Sequence, residues 1–169
     1  RFTARYAEGA DLDRDATAAI ARHLDGFSHL SAERIGSEVV KILSVNSPSA
    51  TLKKMADLGV MARILPGSQV DDVQFLEAAE RHLNLGPDPI RRLAALDVSD
   101  GAALRLSKQQ SKRLAYLHAQ ITATTTASEL SWREGAAVAR DIMALRAARN
   151  GQLPTPQNDL DAAEAASFP

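Results

Sequence analysis

From Ser31 to Arg149 the apolar residues recur three and four positions apart, the spacing of helices that turn one face to a core. Ser31 is a good N-cap, and Glu33 follows in the first turn, where the helix dipole favours an acid. Ile35, Val39, Ile42 and Leu43 form the stripe of that helix. Ser47-Pro48 reads as a cap and an N1 proline, opening a short helix through Leu52 and Met55 to Gly59. A further turn or two, Val60 to Leu65, stops at Pro66-Gly67. Val73, Leu76 and Leu83 carry the period to Gly86, and Ile90, Leu93 and Leu96 restart it between Pro89 and a turn over 97–101. Ser107 caps a longer helix with the face Leu114, Leu117, His118 and Ile121. After a Thr-rich break at 122–126, Trp132, Ala136, Ala139, Ile142 and Met143 mark one more helix, ending near Asn150-Gly151.

The flanks follow the same rule. Phe2 and Tyr6 are four apart, and Ala16, Ile20, Leu24 and Phe27 make a stripe entered through Asp11 or Asp13 and closed near Gly26. A linker over 153–156 leads to an Ala-rich, weakly apolar helix over 159–166. Only 102–106 is a candidate strand, and it is short. No repeat of fixed period is present. The expected fold is all-α, an irregular bundle of about eight to ten short helices.

Composition narrows the function classes. The chain has 169 residues, 45% hydrophobic and 24% charged, with a formal net charge of -1 and a sequence pI near 6.5. A chain of this size buries roughly 68–70% of the surface its unfolded form exposes, enough for one or two helical cores. Near-neutral charge excludes binding to nucleic acid by bulk attraction alone, but leaves room for a local basic stripe. With no cysteine, disulfides, thiolate nucleophiles and sulfur-ligated zinc are impossible, and a cytoplasmic location is expected. No apolar run approaches the ~20 residues that cross a bilayer, so no membrane partner is expected. The chain opens on Arg1 and stops just after an Ala-rich pattern, as expected of an internal piece of a longer protein.

Catalytic chemistry finds no purchase. Asp11-Leu12-Asp13-Arg14-Asp15 has carboxylates at the first, third and fifth positions of a calcium loop, but Ala16 and Arg22 stand where glycine and a bidentate glutamate belong. As a two-metal pair, Asp11 and Asp13 lack a preceding strand and a phosphate-cradling turn, so they read as capping acids and no metal site is assigned. His23, His29, His82 and His118 show no paired ligand spacing. No Gly-x-Ser-x-Gly, Walker or Rossmann pattern occurs, and no catalytic residue is assigned.

The basic residues say more. Arg105, Lys108, Lys112 and Arg113 cluster, with Arg91-Arg92 just before, and Lys108 and Lys112 share a helix face oblique to Leu114, Leu117 and Ile121. A solvated surface and a run of phosphate contacts are both open readings of these six residues. Aromatic content of 4% argues against a base-stacking platform.

Two stretches resemble one family. Arg1-Phe2-Thr3-Ala4-Arg5-Tyr6-Ala7, then Leu30-Ser31-Ala32-Glu33-Arg34-Ile35-Gly36-Ser37-Glu38-Val39-Val40-Lys41-Ile42-Leu43, are similar to elements of class II tRNA nucleotidyltransferases, the CCA-adding enzymes and their bacterial poly(A) polymerase relatives. Ala50 to Val60, then Ile64-Leu65-Pro66, continue the likeness in order and spacing. It is looser from about residue 70 onward.

The resemblance implies the lower neck over 1–45, a helical RNA-binding body over 46–151, and a linker with the start of a tail over 152–169. The family's catalytic head, with its Mg²⁺-binding acids and its base-reading strip, has no counterpart in this sequence. The implied function is support: the region positions the acceptor and T-arm of a tRNA, or another RNA 3′ end, while a head domain using Mg²⁺ adds nucleotides from ATP and CTP. No cofactor is expected in this stretch itself. Arg1, Arg5, Glu33 and Arg34 are implied to brace the nucleotide pocket, and Arg91, Arg92, Arg105, Lys108, Lys112 and Arg113 to meet RNA. The alternatives are the same region of a poly(A) polymerase, using ATP alone, or a helical protein-interaction module.

Overall fold

The computed structural model describes residues 24–152, which form eight α-helices and two 3₁₀ turns and contain no strand. After a 3₁₀ turn at Leu24–His29 come α1 (Ala32–Leu43), α2 (Ser49–Asp57), α3 (Val60–Ile64), α4 (Val70–His82) and α5 (Pro89–Ala95). A second 3₁₀ turn, Ala102–Leu104, precedes α6 (Lys108–Ile121), α7 (Ala127–Glu134) and α8 (Ala136–Arg149). The Phe2-Tyr6 stripe, the start of the Ala16-to-Phe27 stripe up to residue 23, and the helix expected over 159–166 lie outside the described residues, while the end of that second stripe is the 3₁₀ turn Leu24–His29. None of the described helices is long and apolar enough to cross a membrane.

The caps act where side-chain chemistry puts them. Ser31 accepts the Arg34 N–H at 3.4 Å, and Ser107 and Gln110 close a reciprocal capping box on α6. Asp88 caps α5 through the Ile90 and Arg91 N–H groups. The start of α2 departs from expectation. Pro48, not Ser47, occupies the cap, and it has no side-chain acceptor to offer. Glu77, reaching across from α4, accepts the Ser49 N–H at 2.7 Å and the Ser49 hydroxyl at 3.0 Å. A tertiary contact thus fills the place of a local cap.

Helix α5 is the hub. It touches α1, α4, α6 and α8, and every residue from Ile90 to Leu96 is buried. A seven-residue helix enclosed on all sides has no solvent face, which decides the fate of its two arginines below. Around it one continuous core joins Val39, Ile42 and Leu43 of α1 to Leu76 of α4, Leu114 and Leu117 of α6, and Ile142 and Leu145 of α8. That core runs across the boundary expected at residue 45.

Two expectations are corrected. Residues 102–106 are not a strand: Ala102–Leu104 is a 3₁₀ turn, and Arg105 after it has φ of 50°. The stripe from Trp132 to Met143 is not one helix, because Gly135 at φ 89° breaks it into α7 and α8. The break swings Trp132 out of the stripe, to 72% exposure.

Candidate nucleic-acid interface

The six basic residues divide into an inner and an outer set. Arg91 and Arg92 are 3% and 1% exposed, which corrects their reading as RNA contacts. Arg92 donates through Nη1 to the Leu43 and Val45 carbonyls at 2.6 and 2.5 Å, and through Nη2 to Glu80 at 2.7 Å and the Asn46 carbonyl at 3.2 Å. It therefore caps the C-terminus of α1, where carbonyls lack helical partners, and ties it to α4. Arg91 donates to Glu80 at 2.7 Å, Asp141 at 2.6 Å and the Gly86 carbonyl at 2.5 Å. Both guanidiniums are consumed inside.

Arg113 extends this network to the rim. Its two terminal nitrogens meet Asp88 and Asp141, each at 2.7 Å. Burial works to lower its pKa, but the two carboxylates outweigh that and hold it above its usual value. With both terminal nitrogens engaged, only its partly exposed edge faces water. Three arginines stand against Glu80, Asp88 and Asp141, and the cluster is neutral as a whole.

The outer set is Arg105, Lys108 and Lys112, all exposed, and Arg34 of α1 is exposed as well. Lys108 and Lys112 are one turn apart on α6 and form no ion pair with another described residue. Lys108 sits in the first turn, which holds no acid. A cation there adds to the positive end of the helix dipole instead of offsetting it. Arg105 lies just before this turn and approaches Glu33 of α1 at 3.5 Å. The Glu33 pKa is lowered chiefly by its own backbone N–H and the Ser31 hydroxyl. Glu33 thus binds a neighbour within the described residues, and Arg34 beside it forms no ion pair with any of them.

What brings α1 to Arg105 is Gly36. A Cβ built there would lie 1.9 Å from the Leu104 carbonyl oxygen, so the 3₁₀ turn rests directly on the helix backbone. Sequence reasoning noted Gly36 only as a position inside a motif. A glycine in mid-helix, where alanine is favoured by about 1 kcal/mol, was the available signal. Arg1 and Arg5, also expected at a nucleotide pocket, lie outside the described residues, as do Asp11, Asp13, Asp15 and His23. Among the described residues no group of three or more His, Asp or Glu could hold a metal ion. His118 is held by Asp97 at 2.9 Å, and Arg149 joins the same carboxylate at 2.8 Å.

Beside Arg34, α1, α2 and α3 form an open groove of about 640 Å³, floored by apolar residues such as Val39, Ile42, Met55, Val60 and Ile64 and edged by Glu38 and Lys41. This groove and the Glu33-Arg34 pair fall within one recognisable segment. Residues 9–71 match the family described as the probable RNA and SrmB-binding site of polymerase A. The chain therefore carries a stretch similar to an RNA-binding region of poly(A) polymerase. The match covers well under half of the 169 residues, and Arg105, Lys108 and Lys112 lie beyond it. No curated protein matches the chain.

Proposed function

We propose that this chain is the RNA-holding region of a nucleotidyltransferase that extends RNA 3′ ends, with the chemistry carried by a head domain. The observation behind this reading is that Arg105, Lys108 and Lys112 stand exposed at the start of α6, in a chain that also carries a segment similar to a polymerase RNA-binding site. Exposed cations at the start of one helix suit phosphates better than bases, since they give affinity and register but little sequence readout. A near-neutral chain with one basic face grips a folded RNA by shape and backbone. The acceptor and T-arm of a tRNA have that form, and CCA addition from CTP and ATP with Mg²⁺ in the head is the reaction we assign to the parent.

Polyadenylation from ATP alone is the second reading, and the description of the matched family favours it. Both readings need the same grip on the RNA. The test is binding of the 169-residue chain to a tRNA and to an unstructured RNA over a range of salt. Replacing Lys108 and Lys112 with glutamate should weaken both, and make log K against log salt shallower by about 0.7–0.9 for each phosphate no longer neutralised. Wild-type binding with neither RNA, at any salt, would leave a protein-interaction module as the better account.

A further inference from the structure

A second cavity, which shares no residue with the groove on α1, lies where the chain opens α5 against the first turns of α6. It measures about 310 Å³, with Pro87, Asp88, Pro89 and Ile90 on one side and Gln109, Gln110 and Arg113 on the other. Its charges are already spent. Asp88 accepts the Ile90 and Arg91 N–H groups and pairs with Arg113 at 2.7 Å, while the other terminal nitrogen of Arg113 meets Asp141. A phosphate would find no cation here that is not neutralised. The amides are not spent. Gln110 gives its Oε1 to the Ser107 N–H at 3.0 Å in the capping box, which fixes the amide, and its Nε2 donates to no described residue. Gln109 is exposed and forms no hydrogen bond with any of them. The cavity therefore combines apolar carbons of two prolines and an isoleucine with one fixed donor and one amide free to turn either way. Ligand pockets span roughly 300–1,000 Å³, so this one has room for a single ring system. A neutral, flat ring with hydrogen-bonding atoms on its edge meets that description, and unstacked bases are read in this manner, against side-chain surfaces and through their edges.

We infer that the cleft between residues 87–90 and 109–113 receives one unpaired RNA base, which takes a hydrogen bond from Gln110 Nε2 on an acceptor at its edge. This inference rests on the RNA-holding function proposed above and adds to it the recognition of single-stranded nucleotides. Gln109 and Arg113 follow Lys108 and Lys112 by one residue each, about 100° around α6. Phosphates on the lysine face and a base on the next face therefore suit one strand crossing the first turns of the helix. A base inside a duplex is held by its partner and its stack, so the cleft favours RNA with free nucleotides over RNA that is fully paired.

The test is proton–nitrogen NMR of the 169-residue chain, titrated with adenosine, cytidine, guanosine and uridine in turn, and with ribose 5-phosphate as a probe without a base. At least one nucleoside should shift the Gln109 and Gln110 side-chain amide signals to saturation, with the same affinity at low and high salt because the ligand is neutral. An RNA hairpin with an unpaired 3′ end should shift the same two signals, and a blunt hairpin should not. Gln110→Glu keeps an oxygen for the Ser107 N–H, and glutamate serves a capping box as well as glutamine, so the helix start survives while the donor is lost. That variant should bind the nucleoside about 2–10-fold more weakly, the worth of one hydrogen bond, and Gln109→Met should weaken it as well. Lys108→Glu/Lys112→Glu should keep the wild-type affinity for the nucleoside while losing RNA. If the hairpins bind but neither they nor any nucleoside moves the two amides, the RNA reading stands and the base site is overturned. Equal shifts from ribose 5-phosphate, or wild-type nucleoside affinity in both glutamine variants, would overturn it too. Nucleoside binding by a chain that holds no RNA at any salt would sink the RNA reading, and the assignment to an RNA base with it.

Discussion

Replacing Arg92 with methionine separates a structural arginine from an RNA-binding one. The side chain is 1% exposed and serves Glu80 and the carbonyls of Leu43, Val45 and Asn46. Methionine fills much of the volume but offers no donor. Leu43 is fully buried, so its carbonyl is deprived of a partner that water cannot replace, at a cost of about 1–3 kcal/mol. Val45 and Asn46 lie nearer solvent and can recover part of theirs from water. Glu80 keeps Arg91 at 2.7 Å, so its charge is half-compensated and not orphaned. Removing one partner of a buried pair generally costs about 3–5 kcal/mol, and the surviving Arg91 contact places this case near the lower end. Against a total stability of about 5–15 kcal/mol, the melting temperature should fall by about 10–20 °C. Urea unfolding followed by circular dichroism reads this directly. A change below about 1 kcal/mol would refute the buried network. Wild-type stability together with impaired RNA affinity would return Arg92 to the surface.

Other expectations follow from single contacts. Glu77→Ala removes the acceptor of the Ser49 N–H at the start of α2 and should cost about 1–2 kcal/mol in urea unfolding, as removal of a cap does; a neutral effect would mean that water caps the helix equally well. Trp132 is the only tryptophan and is 72% exposed, so its fluorescence should be that of a solvated indole and readily quenched by iodide. Trp132→Ser should change stability by less than about 0.5 kcal/mol, whereas a blue-shifted, protected emission would place the residue in the core stripe after all. The pKa of Asp97 is lowered, first by its hydrogen bond from Arg149 and then by that from His118. That of Asp88 is also lowered: burial works to raise it, but the Arg91 N–H and the Arg113 guanidinium prevail. Both groups bind protons more readily unfolded than folded, so their stabilisation is complete above the unfolded value of about 3.9 and is lost as pH falls through the lower folded values. The urea midpoint should therefore drop below about pH 4, and the drop should be shallower in Asp97→Asn; an identical pH profile in that variant would mean the Asp97 contacts are not held in solution.

The all-α architecture and most helix bounds were legible because they follow from local rules. Apolar spacing, the Ser31 and Ser107 caps, and the stops at Gly59 and Pro66 each depend on a few neighbouring residues. Where α7 and α8 part, the sequence did hold the signal, since Gly135 interrupts the stripe, but its left-handed conformation is a property of the folded turn. The basic residues show the other side. Arg91-Arg92 and Lys108-Lys112 look alike as charge in a sequence. One pair lies on a helix enclosed by four others, the other on a helix with a free face. A hint was present: Glu80 falls between Leu76 and Leu83 on the apolar stripe of α4, and Asp141 adjoins Ile142 on α8, so two acids faced the core and required cations there.

Periodicity is written within one helix turn, so the chain alone determined that helices form and which face of each is apolar. Which charges reach solvent depends on what packs against the opposite side, and that is set by residues such as Glu80, Asp141 and Leu104, whose partners are distant in sequence. Tertiary packing alone decided that Arg91 and Arg92 hold the core together while Arg105 stays exposed beside Glu33 of α1, because desolvation of a charge is a property of its whole surroundings.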